Sequence, residues 1–176
     1  MLNGDHTIKL FGAILTAAGC LFAASAWNRS RVSRLRTLDR LVQALTYMEA
    51  ELAGKAAPLP QLALRLSRQT DGAVGRFFAA LVREMDALGE RSFCEIWTEA
   101  AEANLPELRN RERDAIRDLG ASLGRYPVGM QCEAIAVCRE LLLREINAAR
   151  QNEREESRLV WGLSASAGLL LWIVLI

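Results

Sequence analysis

Polarity along this chain divides it into three parts. From Leu10 to Trp27 the sequence reads "LFGAILTAAGCLFAASAW", 18 residues without a charge, and Ile8 extends the run across Lys9. From Leu159 to Ile176 it reads "LVWGLSASAGLLLWIVLI", again 18 uncharged residues. A bilayer core about 30 Å thick needs roughly 20 residues of helix to cross it. Each run is just long enough, and each has Trp near an edge, where aromatic rings sit well at the membrane surface. The pattern predicts transmembrane helices over 8–27 and 159–176, with a domain over 28–158 between them.

The intervening domain repeats its apolar residues at helical spacing. Val32, Leu35, Leu38, Leu41, Leu45, Met48 and Leu52 recur every three or four positions, the mark of an amphipathic helix over 31–53. Gly54 is a natural stop. Pro58 and Pro60 follow in "KAAPLPQL", and proline tolerates the first turn of a helix, so Pro60 opens a short one to about residue 69. "QTDGAVG" reads as a turn, with Asp71 or a near neighbour as its cap. "AVGRFFAALVREMDAL" predicts a third helix that buries Phe77, Phe78, Leu81, Val82, Met85 and Leu88 and ends at Gly89. Ser92 and Glu95 form a capping box for a fourth, which Pro106 breaks. "ELRNRERDAIRDLGASLG" predicts a fifth, with Leu108, Ile116, Leu119 and Leu123 inside. A sixth runs from about Val128 to Arg158 and on into the second apolar segment. No alternating β-branched run is long enough for a strand. The fold class is all-α: a bundle of about six helices flanked by two membrane helices.

Charge next to the apolar runs orients them. Arg29, Arg31, Arg34, Arg36 and Arg40 follow the first run, and Arg150, Arg154 and Arg158 precede the second. Positive flanks mark the cytoplasmic side. Both flanks agree, so the bundle is expected in the cytoplasm with the two termini on the opposite side. Ala24-Ser25-Ala26 also fits a signal-peptide cleavage site, but arginines directly after an apolar run resist export, which favours a retained anchor. The same arginines can attract anionic lipid headgroups, each contributing about 1 kcal/mol near the surface.

Composition narrows the chemistry. With 22 basic and 21 acidic residues the net charge is +1, which gives no general case for nucleic acid. A single histidine, His6, nearly removes histidine-based triads and metal sites. Cys132 and Cys138 stand six apart, a spacing that separates them on a helix and lacks the C-x2-C pairing of zinc sites. No catalytic, cofactor or metal residue is singled out. Glu84, Asp86, Glu90, Glu95, Glu99 and Glu102 make an acidic stretch, by default a solvated helix face and otherwise a docking surface for a partner.

"DLGASLGRYPVGMQ" (118–131) contains G-x-x-x-G, which acts in membrane helices only within an apolar 20-mer. Here Arg117, Asp118 and Arg125 flank it. It also lacks a P-loop lysine and follows no strand. What survives is a turn. Gly124 takes the left-handed conformation that ends the fifth helix, Pro127 opens the next, and Gly120 lets another group approach closely.

The order of these parts resembles the stage III sporulation protein AB family of endospore-forming bacteria. The resemblance covers essentially the whole chain: the arginine-rich exit, "ELAGKAAPLPQL", "GRFFAAL", "CEIWTEA" with Trp97, "LGASLG" with Gln131, and the terminal apolar helix. "PLP" together with "LGxxLG" is the most specific short signal. This chain has Ala57 where the family often has Thr, and "RYPVG" where an acidic residue often follows the second LG. The resemblance implies a role similar to the inner-membrane platform protein of type II secretion and type IV pilus systems. It further implies a place in a channel complex between mother cell and forespore, in the outer forespore membrane, beside a cytoplasmic ATPase and other channel proteins of the same operon.

The residues alone supply a helical bundle held by two spans, which fits a non-enzymatic platform that can also self-associate as a homo-oligomer. The alternative is a membrane-anchored subunit of another transport or signalling complex. Single cysteines placed near residues 3, 60 and 140, with the native ones replaced, are expected to label from outside, inside and inside respectively. Labelling of position 60 only from outside would reverse the topology.

Overall fold

The apolar repeat after the first uncharged run forms one continuous helix, α1, over 31–55, and it buries Leu38, Leu41, Leu45, Met48 and Leu52. The computed structural model of the chain describes the backbone over 31–55, 57–87 and 89–175, with side chains through Asn152 except that of residue 87. Val32 fits the same repeat but lies exposed at the start of the helix. Then follow α2 (Leu59–Gln69), α3 (Gly72–Glu84), α4 (Phe93–Asn104), α5 (Asn110–Ser122) and α6 (Val128–Leu175), with a short 3-10 turn over Met85–Ala87. The described residues thus form six helices and no strands.

Local chemistry sets most of the boundaries. Pro58 is the N-cap of α2, and Pro60 lies in its first turn, where no amide donor is needed. Asp71 stands at the N-cap of α3 as the sequence suggests, but its side chain makes no capping bond. The third helix stops at Glu84, short of Gly89, and Leu88 lies outside the described residues. Ser92 and Glu95 do close a capping box: Glu95 N–H donates to Ser92 Oγ at 3.2 Å, and Ser92 N–H donates to Glu95 Oε2 at 3.1 Å. The fifth helix begins three residues later than its predicted start, because the chain turns at Pro106 and Leu108 N–H donates to Leu105 O at 3.3 Å.

Helices consecutive in sequence pack on each other from α2 to α6. An aromatic cluster ties α3 to α4. Trp97 meets Phe77 edge-on with ring centroids 4.9 Å apart, and Phe77 and Phe78 are 4.8 Å apart. Such pairs add about 0.5–1.5 kcal/mol beyond the area they bury. Trp97 then reaches α5, where Nε1 donates to Ile116 O at 2.7 Å. Gly120 makes room for it: a Cβ at that position would lie 2.6 Å from Trp97 Cγ.

Around α1 a buried charge is added to the apolar packing. Arg34, 7% exposed, is packed against Glu112, 0% exposed. Its Nε donates to Glu112 Oε2 at 3.2 Å, its Nη2 to Glu112 Oε1, and the same Nη2 reaches Glu145 Oε2 at 3.5 Å. Glu112 also accepts from Arg109 N–H at 2.8 Å, closing the first turn of α5. One guanidinium therefore joins α1, α5 and α6. Further along, Arg139 pairs with Glu49 at 2.8 Å and Arg150 with Asp39 at 3.2 Å, so α1 and α6 run antiparallel along their lengths.

Among the described residues no helix is long and apolar enough to cross a membrane. Segment 8–27 lies outside the described residues. Segment 159–175 continues the backbone of α6, with its side chains outside them.

A buried ion pair that loses one partner is strongly destabilising. Arg34→Met is expected to cost about 3–5 kcal/mol, measured by denaturant unfolding of the chain in detergent. Arg34→Met combined with Glu112→Leu should recover part of that loss. Equal stability of Arg34→Met and the parent chain would remove the triad from any role in the fold.

Candidate functional site

Two turns that are far apart in sequence come together at one end of the bundle. After α5, Leu123 N–H donates to Leu119 O at 3.0 Å, and Gly124 adopts a left-handed φ of +75°. Pro127 precedes α6 and accepts from Gln131 N–H at 3.1 Å. Gln131 folds back, donating from Nε2 to Tyr126 O at 2.6 Å, while its Oε1 is buried without a partner among the described residues. A Cβ on Gly124 would stand 3.5 Å from Leu59 Cδ1. The Pro58-Leu59-Pro60 turn and the Gly120–Gly124 turn are thus in contact. Beside them, α1 is tied to α6 through Glu49, which accepts from Arg139.

Just beyond this turn the surface opens into an apolar groove between α5 and α6, about 740 Å³ in volume. Met130, Ala134, Val137 and Leu141 form its α6 wall, and Ala115 and Leu119 its α5 wall. Met130 is 52% and Val137 63% exposed, high for large apolar side chains. Asp114, Asp118 and Glu133 stand on the rim with Arg111, and Asp114 is also met by Arg117 at 3.8 Å. Cys138 also lines it, and burial, helped by the Asp118 charge, pushes that thiol up to about 12. At neutral pH it is a protonated packing group and not a nucleophile.

The acidic residues predicted as a surface are not brought into one bare patch. Arg91 bridges Glu84, at 3.7 Å, and Glu99. Glu102 pairs with Arg117 at 2.9 Å, and Glu95 is committed to the α4 cap. Asp86 and Glu90 remain exposed on the short segment between α3 and α4. Much of the local negative charge is therefore matched within the chain.

The arginines divide in a similar way. Arg34 does not belong to a lipid-facing set, because its guanidinium is inside the bundle with Glu112 and Glu145. Arg150 is bound to Asp39, while Arg36 is exposed. Arg31 lines a small polar cavity with Arg34, Arg109, Glu145 and Asn152. Arg29 lies outside the described residues, as do the side chains of Arg154 and Arg158.

Neither Arg34 nor Glu112 was singled out from composition as a core residue, yet register marks both. Arg34 precedes Leu38, Leu41, Leu45, Met48 and Leu52 at spacings of four and three, and Glu112 stands four before Ile116 in the same way. The α6 groove wall follows the same rule one position out of phase: Met130, Ala134, Val137 and Leu141 flank the inward row of Gln131, Ile135, Cys138 and Leu142.

A side chain at Gly124 meets both the left-handed backbone and Leu59. The left-handed conformation alone costs a non-glycine residue roughly 1–2 kcal/mol. Gly124→Val is expected to lose at least that much in unfolding experiments, and Gly124→Asn distinctly less, since Asn tolerates this conformation. Equal stability of the two variants would separate the turn from the left-handed requirement.

The comparisons agree in their direction. The family model described as stage III sporulation protein AB matches residues 9–176. The stage III sporulation protein AB of Bacillus subtilis (strain 168) is 23% identical over 170 residues, covering 96% of this chain and 99% of that protein. A solved structure of a stage III sporulation protein AB superposes with a TM-score of 0.63 at 22% identity, over 70% of this chain and 98% of the other, which establishes likeness of fold. With the family model matched along nearly the whole chain, this protein belongs to the stage III sporulation protein AB family.

Proposed function

We propose that this chain is a non-enzymatic platform of the sporulation channel, fixed in the cell membrane by helices over 8–27 and 159–176, with the bundle on the cytoplasmic side. The observation that carries this reading is the antiparallel pairing of α1 and α6. Arg31 and Asn152 line one cavity, so the start of α1 and the outgoing part of α6 lie at the same end of the bundle. Both apolar segments then leave from that end, as two spans into one bilayer require, and the arginine flanks agree with a cytoplasmic bundle. In this reading the membrane is that of the outer forespore in sporulating cells.

The cytoplasmic ATPase docks on the groove between α5 and α6. Its apolar walls suit the hydrophobic face of an amphipathic helix, and the rim carboxylates Asp118 and Glu133, which have no ion-pair partner among the described residues, suit lysine or arginine beside that face. The acidic stretch over 84–102 is a weaker contact, because its carboxylates largely answer Arg91 and Arg117. The remaining channel proteins attach to the same platform.

Purification of the tagged chain from sporulating cells is expected to recover the ATPase and the other channel proteins. Met130→Glu with Val137→Glu should abolish ATPase recovery while leaving the chain folded and in the membrane fraction, since both side chains are already exposed. Recovery of no channel component by the parent chain would count decisively against the platform.

A further inference from the structure

A second cavity, about 580 Å³, is lined by Arg36 and Arg40 of α1, Arg76 of α3, and the first residues of α3, Gly72 and Ala73. We propose that this cavity is a binding site for a phosphate group, held by Arg36, Arg40 and Arg76 beside the open N-terminus of α3. The site stands on this geometry and not on the partner assigned to the α5–α6 groove.

Several features make it an anion site and not a chance gathering of cations. Arg36 and Arg76 have no carboxylate partner among the described residues. Three guanidiniums and one carboxylate, that of Glu107, line the cavity, an excess of two positive charges, and none of the three is bonded to Glu107, whose Oε2 is buried without a partner among the described residues. Planar guanidiniums present paired donors that match phosphate oxygens. Arg40 is also fixed in place. Its Nη1 donates to Asp71 O at 2.9 Å, and Gly72 permits this approach, since a Cβ there would collide with Arg40 Nη1 and the backbone stands at φ +73°.

The α3 terminus adds donors to the same cavity. The helix is 13 residues long, has no acidic residue in its first turn, and receives no bond from the Asp71 side chain. Its first amides therefore receive no side-chain cap beside Arg40 and Arg76, and the Asp71 carboxylate at the N-cap answers only part of the dipole. Its place in the fold bears on the source of the phosphate. The wall from Val32 to Arg40 occupies the first turns of α1, nine residues that begin five positions after Trp27. A phosphate carried by a lipid headgroup and a free phosphate ester share the chemistry this cavity recognises.

The test uses the full chain in uncharged detergent, titrated with short-chain phosphatidylglycerol and, separately, with inorganic phosphate, followed by the arginine side-chain N–H resonances. Saturable binding of phosphatidylglycerol is expected. Arg36→Gln with Arg76→Gln should weaken it about thirtyfold, the effect of removing two arginines that face an anionic surface. Arg68→Gln with Arg144→Gln changes net charge equally at exposed positions that do not line the cavity and should leave the affinity unchanged. Inorganic phosphate that competes with the lipid supports a site open to free phosphate esters. Lipid binding without such competition supports a headgroup site. Saturation by neither probe, or an equal loss in both double variants, overturns the proposal.

Discussion

A guanidinium placed inside a helical bundle must be answered there, and the answer given to Arg34 organises this molecule. Removing such a charge from water costs several kcal/mol unless it is closely paired. Glu112 meets it with both oxygens and Glu145 stands beside it, so three helices are held to one point. Apolar packing resists a slide of neighbouring helices through many small mismatches, and the charge adds one large term to them. A slide of α1 by one turn would carry Arg34 away from Glu112 and leave both charges buried and unmatched. The triad therefore sets the relative height of α1, α5 and α6, and so the arrangement of everything attached to them. Glu112 links this tertiary constraint to a local one, since the same carboxylate caps the helix on which it stands.

Around that point the bundle is divided in its chemistry. Near the start of α1 the interior and its margins are polar, with Arg31, Arg36, Arg40 and Arg109 lining cavities. Toward the Gly124 turn the contacts are apolar and close, with Leu59 against the turn and the α5–α6 groove beginning just beyond it. Trp97 connects the layers between: its ring is shared with Phe77, its N–H with the backbone of α5, and its face with Gly120. The two most specific short signals of the chain, "PLP" and "LGxxLG", are two sides of one contact.

The elements that sequence revealed are those governed by neighbours three or four positions away. The apolar rows of α1 from Leu38 on and of α3 through Leu81, the Ser92–Glu95 box and the Gly124 cap all follow from local rules, and they stand where those rules put them, whereas Val32 is exposed and α3 ends at Glu84. Residues whose roles depend on a distant partner were not legible in that way. Arg34 looks like one more topology-setting arginine until Glu112, 78 positions later, is seen beside it. The acidic stretch looks like a free surface until Arg91 and Arg117 turn toward it. The groove was hidden for a third reason. Its α6 wall is apolar and so is the inward row one position away, and a sequence pattern cannot say which of two adjacent stripes finds cover.

The length of α6 has a mechanical meaning. It is a single helix of 48 residues from Val128 to Leu175, about 72 Å long at 1.5 Å per residue. Among its residues are the groove wall at one end, the carboxylate that meets Arg34 near the middle, and the apolar segment at the other. Proline is absent along it, so it lacks the usual cause of a sharp kink. Glu145, where the Arg34 triad meets this helix, stands between the groove and the far segment, so one unbroken backbone joins the two across that point. The helix is in that sense a single beam, with its two arms on either side of a buried charge.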